Sequence, residues 1–167
     1  MKVAGFYDES MSNGLGWRAV LFVSGCPHHC KGCHNKVAQD FNYGEEINTK
    51  QLVQRISENS ILKGITISGG EPLCPENISG VLNFITEVKN IKPSFNVWCY
   101  TGYTMEQLQS RQDETTNACL QNIDVLVDGQ FMEEKKNPTL KFKGSENQRI
   151  IDMQTTRTSH HITELAL

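Results

Sequence analysis

The sequence has no apolar run long enough to cross a bilayer and no excess of basic residues. In the first half the longest apolar run is Ala19–Val23, far short of the roughly 20 residues that a membrane-spanning helix needs. The 167 residues include 16 basic and 19 acidic side chains, so the formal net charge is −3. Proteins that neutralise nucleic-acid phosphates usually show the opposite balance. We expect a protein that binds neither nucleic acid nor membranes.

Targeting and linker segments are also missing. The N-terminal MKVAGFYDES lacks the apolar stretch of a signal peptide, and no repeat, low-complexity tract or linker rich in Gly, Pro or Ser follows. A chain of this length can bury a substantial core. We expect residues 1–167 to form one soluble, cytoplasmic domain.

What the sequence does have is a cluster of cysteines between residues 24 and 35, SGCPHHCKGCHN. We call this segment the cysteine loop, and Cys26, Cys30 and Cys33 the loop cysteines. A disulfide framework is not expected, because a domain of this size in a reducing compartment does not need one. Thiolates crowded in this way favour zinc or an iron–sulfur cluster.

The spacing of the loop cysteines distinguishes between these metals. A structural zinc site takes four ligands, usually as two separated pairs, and no second Cys-x-x-Cys or His-x3-His follows. His28, His29 or His34 could complete a zinc site only if the short loop wrapped the ion alone. Three thiolates suit three corners of a [4Fe-4S] cluster, with one iron left open for substrate.

Short apolar runs alternate with helical spacing along the chain. Apolar residues at intervals of three and four predict a helix over residues 78–88, and Thr104 with Gln107 predicts a capping box. The predicted strands are Arg18–Val23, Gly64–Ser68, Phe95–Tyr100, Ile123–Val127 and Arg149–Met153. This alternation favours βαβ units in a mainly parallel sheet, with too few units to close an eight-stranded barrel. The predicted fold class is α/β, an open or partial β/α barrel.

The unusual residues follow the predicted strands. The cysteine loop follows the first strand, Gly69-Gly70-Glu71-Pro72 the second, Thr101-Gly102-Tyr103 the third and Asp128-Gly129-Gln130 the fourth. The C-terminal ends of parallel strands meet at one edge of a sheet, where such folds form their sites. We therefore expect one active site built from these four loops.

The pattern Cys26-x3-Cys30-x2-Cys33 after the first strand resembles that of radical S-adenosylmethionine (SAM) enzymes, and Ser68–Pro72 resembles their second-strand motif. The resemblance implies a radical SAM partial barrel, and a [4Fe-4S] cluster that the loop cysteines ligate as the catalytic centre. It also implies a SAM site lined by a set of loop residues: Gly32, Cys33, His34, Gly69, Gly70 and Glu71.

Five further segments narrow the resemblance: NGLGWRAVLFVSGC, KGCHN, WCYTGYT, DVLVDGQF and LKFKGSENQRIID. Together they resemble the activating enzymes of anaerobic (class III) ribonucleoside-triphosphate reductase. The resemblance implies a radical SAM oxidoreductase that cleaves SAM and generates a glycyl radical on that reductase, with an electron donor such as flavodoxin. Two positions depart from the family pattern: His34 replaces a usual Tyr, and Leu15 replaces a usual Pro.

Several residues keep two interpretations. Thr101 and Asp128 either make ordinary turns or face SAM and an associated cation. We expect His28 and His29 to face solvent, and Cys74, Cys99 and Cys119 to be packing thiols.

The irregular stretch Gly129–Gln148, which we call the 129–148 segment, carries several lysines and is the candidate docking surface for a partner protein. The alternative functions are a small radical SAM enzyme acting on a metabolite, for example in deazapurine synthesis, and a non-catalytic zinc module.

Overall fold

A computed structural model describes all residues from 1 to 167 and shows one open, mixed sheet of seven strands. The strands are β1 Lys2–Ser10, β2 Arg18–Val23, β3 Glu45–Glu46, β4 Gly64–Gly69, β5 Asn96–Tyr100, β6 Val125–Asp128 and β7 Arg149–Asp152. The α-helices are α1 Thr49–Glu58, α2 Ile78–Ile91, α3 Met105–Ser110, α4 Glu114–Asn122 and α5 Met153–Ser159. Their order in the sheet is β3-β1-β2-β4-β5-β6-β7.

The four central strands, β2, β4, β5 and β6, are parallel. Alternate residues of these strands, such as Leu21, Ile67 and Leu126, pack with the apolar stripes of α1 and α2 in the main core. Helix α2 begins at Ile78 as the sequence predicts, and Thr104 and Gln107 form the complete capping box of α3. No pattern in the sequence indicated α4 or α5. The prediction of an α/β fold with an open, largely parallel sheet is confirmed.

The two edges of the sheet differ from the prediction. The sequence predicts Arg149–Met153 as a further strand of a mainly parallel sheet, but β7 runs antiparallel to β6 and ends at Asp152. The reason is that the 129–148 segment contains no α-helix to carry the chain back across the sheet, so the chain reverses at the same edge. At the other edge β1, which no pattern indicated, pairs antiparallel with β2.

The sheet face away from the main core is closed near the start of β2 by a buried arginine. The Arg18 side chain donates to the Thr66 hydroxyl at 2.7 Å and to the carbonyl oxygens of Ile65 and Asn96 at 2.5 and 2.7 Å. Its guanidinium also lies over the Trp98 ring, 5.5 Å from the centroid. Burial lowers the pKa of Arg18 to about 10, so it stays charged at neutral pH.

None of the helices has both the length and the apolar character that crossing a membrane requires.

Candidate functional site

Loops from all four parallel strands line one cavity at the C-terminal edge of the sheet. We call it the cluster cavity. Its walls include the loop cysteines, the turn after β4, the loop after β5 and residues at both ends of the 129–148 segment. Strand register explains the convergence, because Val23 pairs with Gly69 and Tyr100 with Val127, so the strands end at nearly the same level. The expected meeting of distant loops is confirmed.

The base of the cysteine loop packs directly on the turn after β4. The Glu71 amide donates to the Gly25 carbonyl at 2.7 Å, and the Gly25 amide donates to the Ala38 carbonyl at 2.8 Å. A Cβ on Gly70 would lie 2.3 Å from the Gly25 oxygen and 2.6 Å from the Ala38 oxygen. Glycine is therefore required at Gly70 for the two loops to approach each other, whatever a ligand requires.

The loop cysteines are partly buried and line the cavity as free thiols. Burial raises the pKa of Cys26 to about 11 and raises that of Cys30 above its ordinary value. Both thiols are thus neutral at pH 7, and a metal must displace their protons to bind.

The remaining three thiols lie elsewhere. Cys74, Cys99 and Cys119 are completely buried and none of them lines the cluster cavity, as their interpretation as packing thiols requires. The cavity therefore offers three thiol ligands and no fourth. No three His, Cys, Asp or Glu side chains are grouped so as to hold a single metal ion.

Glu71 is a buried residue of the cavity wall, and its carboxylate accepts four hydrogen bonds from the chain. Oε1 accepts from the Leu73 amide at 2.9 Å and from the Thr101 hydroxyl at 2.7 Å. Oε2 accepts from the Gly102 amide at 2.7 Å and from His28 Nε2 at 2.8 Å. These four bonds fill the accepting capacity of an ionised carboxylate.

The expectation for His28 is wrong, whereas His29 is exposed as expected. Only 9% of the His28 side chain is exposed, because the ring turns inward to Glu71 and packs edge-on against Tyr103, with the ring centroids 4.5 Å apart. Its other ring nitrogen, Nδ1, lies 2.9 Å from the Gln130 amide nitrogen. Proximity to a buried carboxylate, which the sequence alone does not reveal, outweighs the usual exposure of loop residues.

Thr101 and Asp128 have different positions. Thr101 lines the cluster cavity and donates its hydroxyl to Glu71. Asp128 lies outside the cavity, in a neighbouring polar recess, where it accepts from the Met105 amide at 2.7 Å and pairs with Arg149. Its carboxylate therefore fixes the start of α3 and the edge strand, which is the ordinary interpretation of a carboxylate at a strand end.

His34 is exposed and stands where three recesses meet. It lines the cluster cavity, a groove beside Tyr7 and Val37, and a recess that also includes Lys136. Gly32 lines the last of these recesses rather than the cluster cavity. The Gly69 and Gly70 turn lines the cluster cavity itself.

The structure adds residues that the sequence analysis did not single out as site residues. Asn77 is buried and donates to the carbonyls of Ser24 and Glu71 at 2.8 and 3.1 Å, which ties the cysteine loop to the start of α2. Phe131 and Gln148, at the two ends of the 129–148 segment, line the cluster cavity. The DGQF stretch was a family signal for Phe131, but nothing in the sequence singled out Asn77.

Fold and cavity together define an α/β protein in which three free cysteines of one loop line a cavity at the C-terminal edge of the parallel strands. Consistent with this, residues 12–151 match the family described as the 4Fe-4S single cluster domain. The chain is 39% identical over 149 residues to the anaerobic ribonucleoside-triphosphate reductase-activating protein of Haemophilus influenzae, covering 87% of this chain and 94% of that protein.

Two other relatives carry the same name. The Escherichia coli K12 protein is 35% identical over 147 residues, covering 86% of this chain and 93% of its own. The Enterobacteria phage T4 protein is 38% identical over 148 residues, covering 86% and 89%. The chain belongs to the family of anaerobic ribonucleoside-triphosphate reductase-activating proteins, and the resemblance found in the sequence is confirmed.

Proposed function

We propose that the protein is a radical SAM activase, which cleaves SAM at a [4Fe-4S] cluster and generates a glycyl radical on an anaerobic ribonucleoside-triphosphate reductase. The observation that carries the proposal is the single cavity in which the loop cysteines face the glycine turn after β4. Membership of the activating-protein family supports the choice of partner. The proposal treats residues 1–167 as one cytoplasmic domain with a partial radical SAM barrel.

The residues of the cavity fit the cluster and SAM. Three thiols and no fourth leave one iron without a protein ligand, the position at which a substrate binds an open metal site. The Gly69 and Gly70 turn presents backbone without side chains, so the methionine end of SAM can approach it closely. His34 and Thr101 line the same cavity, and Gly32 lines the adjacent recess. Asp128 lies outside the cavity and would act on it only through the start of α3.

When bound, the cluster would pass an electron from a donor such as flavodoxin to the sulfonium of SAM, and SAM would supply the 5′-deoxyadenosyl group that takes the glycine hydrogen. The chain's own residues bind, orient and shield this chemistry. Its charged groups near the cavity are already paired, as Glu71 is with its four donors and Asp128 is with Arg149. Neither of these carboxylates is therefore free to act as an acid or base on a reacting metabolite.

The partner's glycine loop would enter beside the 129–148 segment. The recess next to the cluster cavity shares Tyr100, Phe131 and Gln148 with it and adds Lys136 and Pro138. Exposed lysines on this segment alternate with exposed glutamates, so its rim offers charges of both signs to a complementary surface of the partner. Glycine suits the substrate position, because it lets the backbone come close to the cavity.

The decisive experiment mixes the reduced protein, SAM and the anaerobic reductase of the same organism, and looks for the glycyl-radical doublet by electron paramagnetic resonance (EPR). The doublet should appear, and truncating the reductase's glycine loop should abolish it while SAM binding persists. Consumption of a small molecule with release of 5′-deoxyadenosine, and no radical on the reductase, would establish the metabolite enzyme instead. A colourless protein that retains zinc after anaerobic purification would establish the zinc module.

A second measurement tests the SAM site separately. Adding SAM to the reduced protein should change the EPR spectrum of the cluster, because SAM takes the iron that has no thiolate. An unchanged spectrum would contradict direct coordination, whatever the partner protein proves to be.

A further inference from the structure

One chain of hydrogen bonds joins the loops that follow all four parallel strands. The amide nitrogen of Gln130, in the loop after β6, lies 2.9 Å from His28 Nδ1. His28 belongs to the loop after β2, and its Nε2 lies 2.8 Å from Glu71 Oε2. Glu71, after β4, then accepts from the Thr101 hydroxyl and the Gly102 amide after β5 at 2.7 Å each. We call this set the Glu71 hydrogen-bond chain.

The donors and acceptors in this chain are fixed by their chemistry. The Gln130 amide nitrogen can only donate, so His28 Nδ1 accepts and the ring proton lies on Nε2, which donates to Glu71. All four accepting positions of the Glu71 carboxylate are taken by protein donors, so Glu71 has none left for a ligand. Its chemistry is that of a buried anchor for other loops.

The surroundings of His28 are shaped to hold the ring in this position. The Tyr103 ring packs edge-on against the imidazole. The Arg111 guanidinium in turn lies over the Tyr103 ring, 4.2 Å from its centroid. A Cβ on Gly102 would lie 2.4 Å from His28 Cδ2 and 2.7 Å from Nε2. The loop after β5 therefore has a glycine where the imidazole must pass to reach Glu71.

His28 stands between two loop cysteines, two residues after Cys26 and two before Cys30. Nothing else in that stretch reaches the buried wall, since Pro27 and His29 are exposed. From these contacts we infer that His28 is a positioning residue for the cluster: through Glu71 it holds the cysteine loop in the conformation that presents the thiols to the cavity. Gln130 extends this restraint to the 129–148 segment.

The inference rests on the proposed cluster, and its test measures how firmly the cluster is held rather than the activity of the loaded enzyme. Anaerobically reconstituted protein is exposed to excess iron chelator, and the loss of the brown cluster absorbance is timed. Losing the bond to a charged acceptor should accelerate the loss about tenfold in His28→Leu. His28→Gln, which places an amide donor near the position of Nε2, should return most of the stability, and the exposed His29→Gln should match the wild type.

Two further variants test whether the residues act as one chain. In Glu71→Gln an amide group would face the donors His28 and Gly102, so this variant should lose iron at least as fast as His28→Leu. Combining the two changes should cost no more than Glu71→Gln alone, since both break the same link. Gln130→Ala, at an exposed position that does not threaten folding, should accelerate the loss by a smaller factor.

The outcomes separate this inference from the proposed function. A wild-type protein that binds no iron–sulfur cluster would overturn both. If the wild type holds a cluster, and His28→Leu or Gln130→Ala loses iron no faster than the wild type, the positioning role alone would be overturned. Equal acceleration of iron loss in His28→Leu and His28→Gln would show that the hydrogen bond does not hold the loop, and would also overturn the positioning role. A lower melting temperature of the metal-free His28→Leu protein, together with this equality, would assign His28 a merely structural role.

Discussion

Replacing Gly70 by alanine tests whether contact between two stretches of backbone, and not only the approach of a ligand, requires glycine in the turn after β4. The added methyl would lie 2.3 Å from the Gly25 oxygen and 2.6 Å from the Ala38 oxygen, where ordinary contact begins at 3.4 Å. The base of the cysteine loop must then move by about 1 Å. That movement stretches the 2.7 Å bond from the Glu71 amide to the Gly25 carbonyl. Such overpacking costs about 1–3 kcal/mol of unfolding free energy.

The assay has two parts, thermal melting of the metal-free protein and iron content after anaerobic reconstitution. The melting temperature should fall by roughly 2–4 °C for each kcal/mol of unfolding free energy lost in a chain of this size. Iron content should fall as well, because the displaced loop carries all three cysteine ligands. Gly5→Ala is the matched control, since its methyl would meet only a Phe22 ring carbon at 3.9 Å. Gly70→Ala protein with wild-type melting and wild-type iron would refute the reasoning.

Three other predictions concern the metal, the buried arginine and pH. Replacing any loop cysteine by Ala should abolish binding of about four irons per chain, whereas Cys119→Ala should keep them; intact iron in any of the three would contradict the ligand assignment. Arg18→Met should lower the unfolding free energy, measured in urea, by about 2–4 kcal/mol, because two buried carbonyls and a hydroxyl lose their donor. Lys50→Met, at an exposed position, is the control, and an equal loss in the two variants would contradict this. Hydrogen bonds from Arg149 lower the pKa of Glu106 from 4.5 to about 2, so its contribution to stability is present above about pH 4.5 and is lost as pH falls through about 2. The melting temperature of Glu106→Gln should therefore be lower than that of the wild type at neutral pH, and the two should converge near pH 2. A difference in melting temperature that does not change with pH would contradict this.

The sequence predicts the central part of the fold because the signals there are local. Apolar periodicity marks α1 and α2, a cap marks α3, and compact apolar runs mark the four parallel strands. Once four strands are parallel, their C-terminal ends must share an edge, so the meeting of four loops at one cavity follows without any coordinates. The ligand pattern of the loop cysteines is local in the same sense.

The edges of the sheet are not predictable in this way. Strand β1 buries only Val3 fully and carries exposed Tyr7, Asp8 and Glu9, so its sequence shows no complete apolar face. The direction of β7 depends on the path of the whole 129–148 segment, which has no periodicity to read. In both cases pairing with a neighbouring strand, and not the pattern within the strand, decides the structure.

The amino-acid sequence by itself determined the chemistry of this protein: three thiols on one loop, a glycine turn, and an order of strands that brings them together. Tertiary structure alone decided which side chains support that chemistry. His28 looks like an exposed loop residue until Glu71, 43 positions away, is placed 2.8 Å from it. Asp128 could be either a turn carboxylate or a cofactor ligand until Arg149 and the Met105 amide at the start of α3 are seen to bind it. Hydrogen bonds between residues far apart in the chain depend on distances that only the folded backbone sets, so no local pattern encodes them.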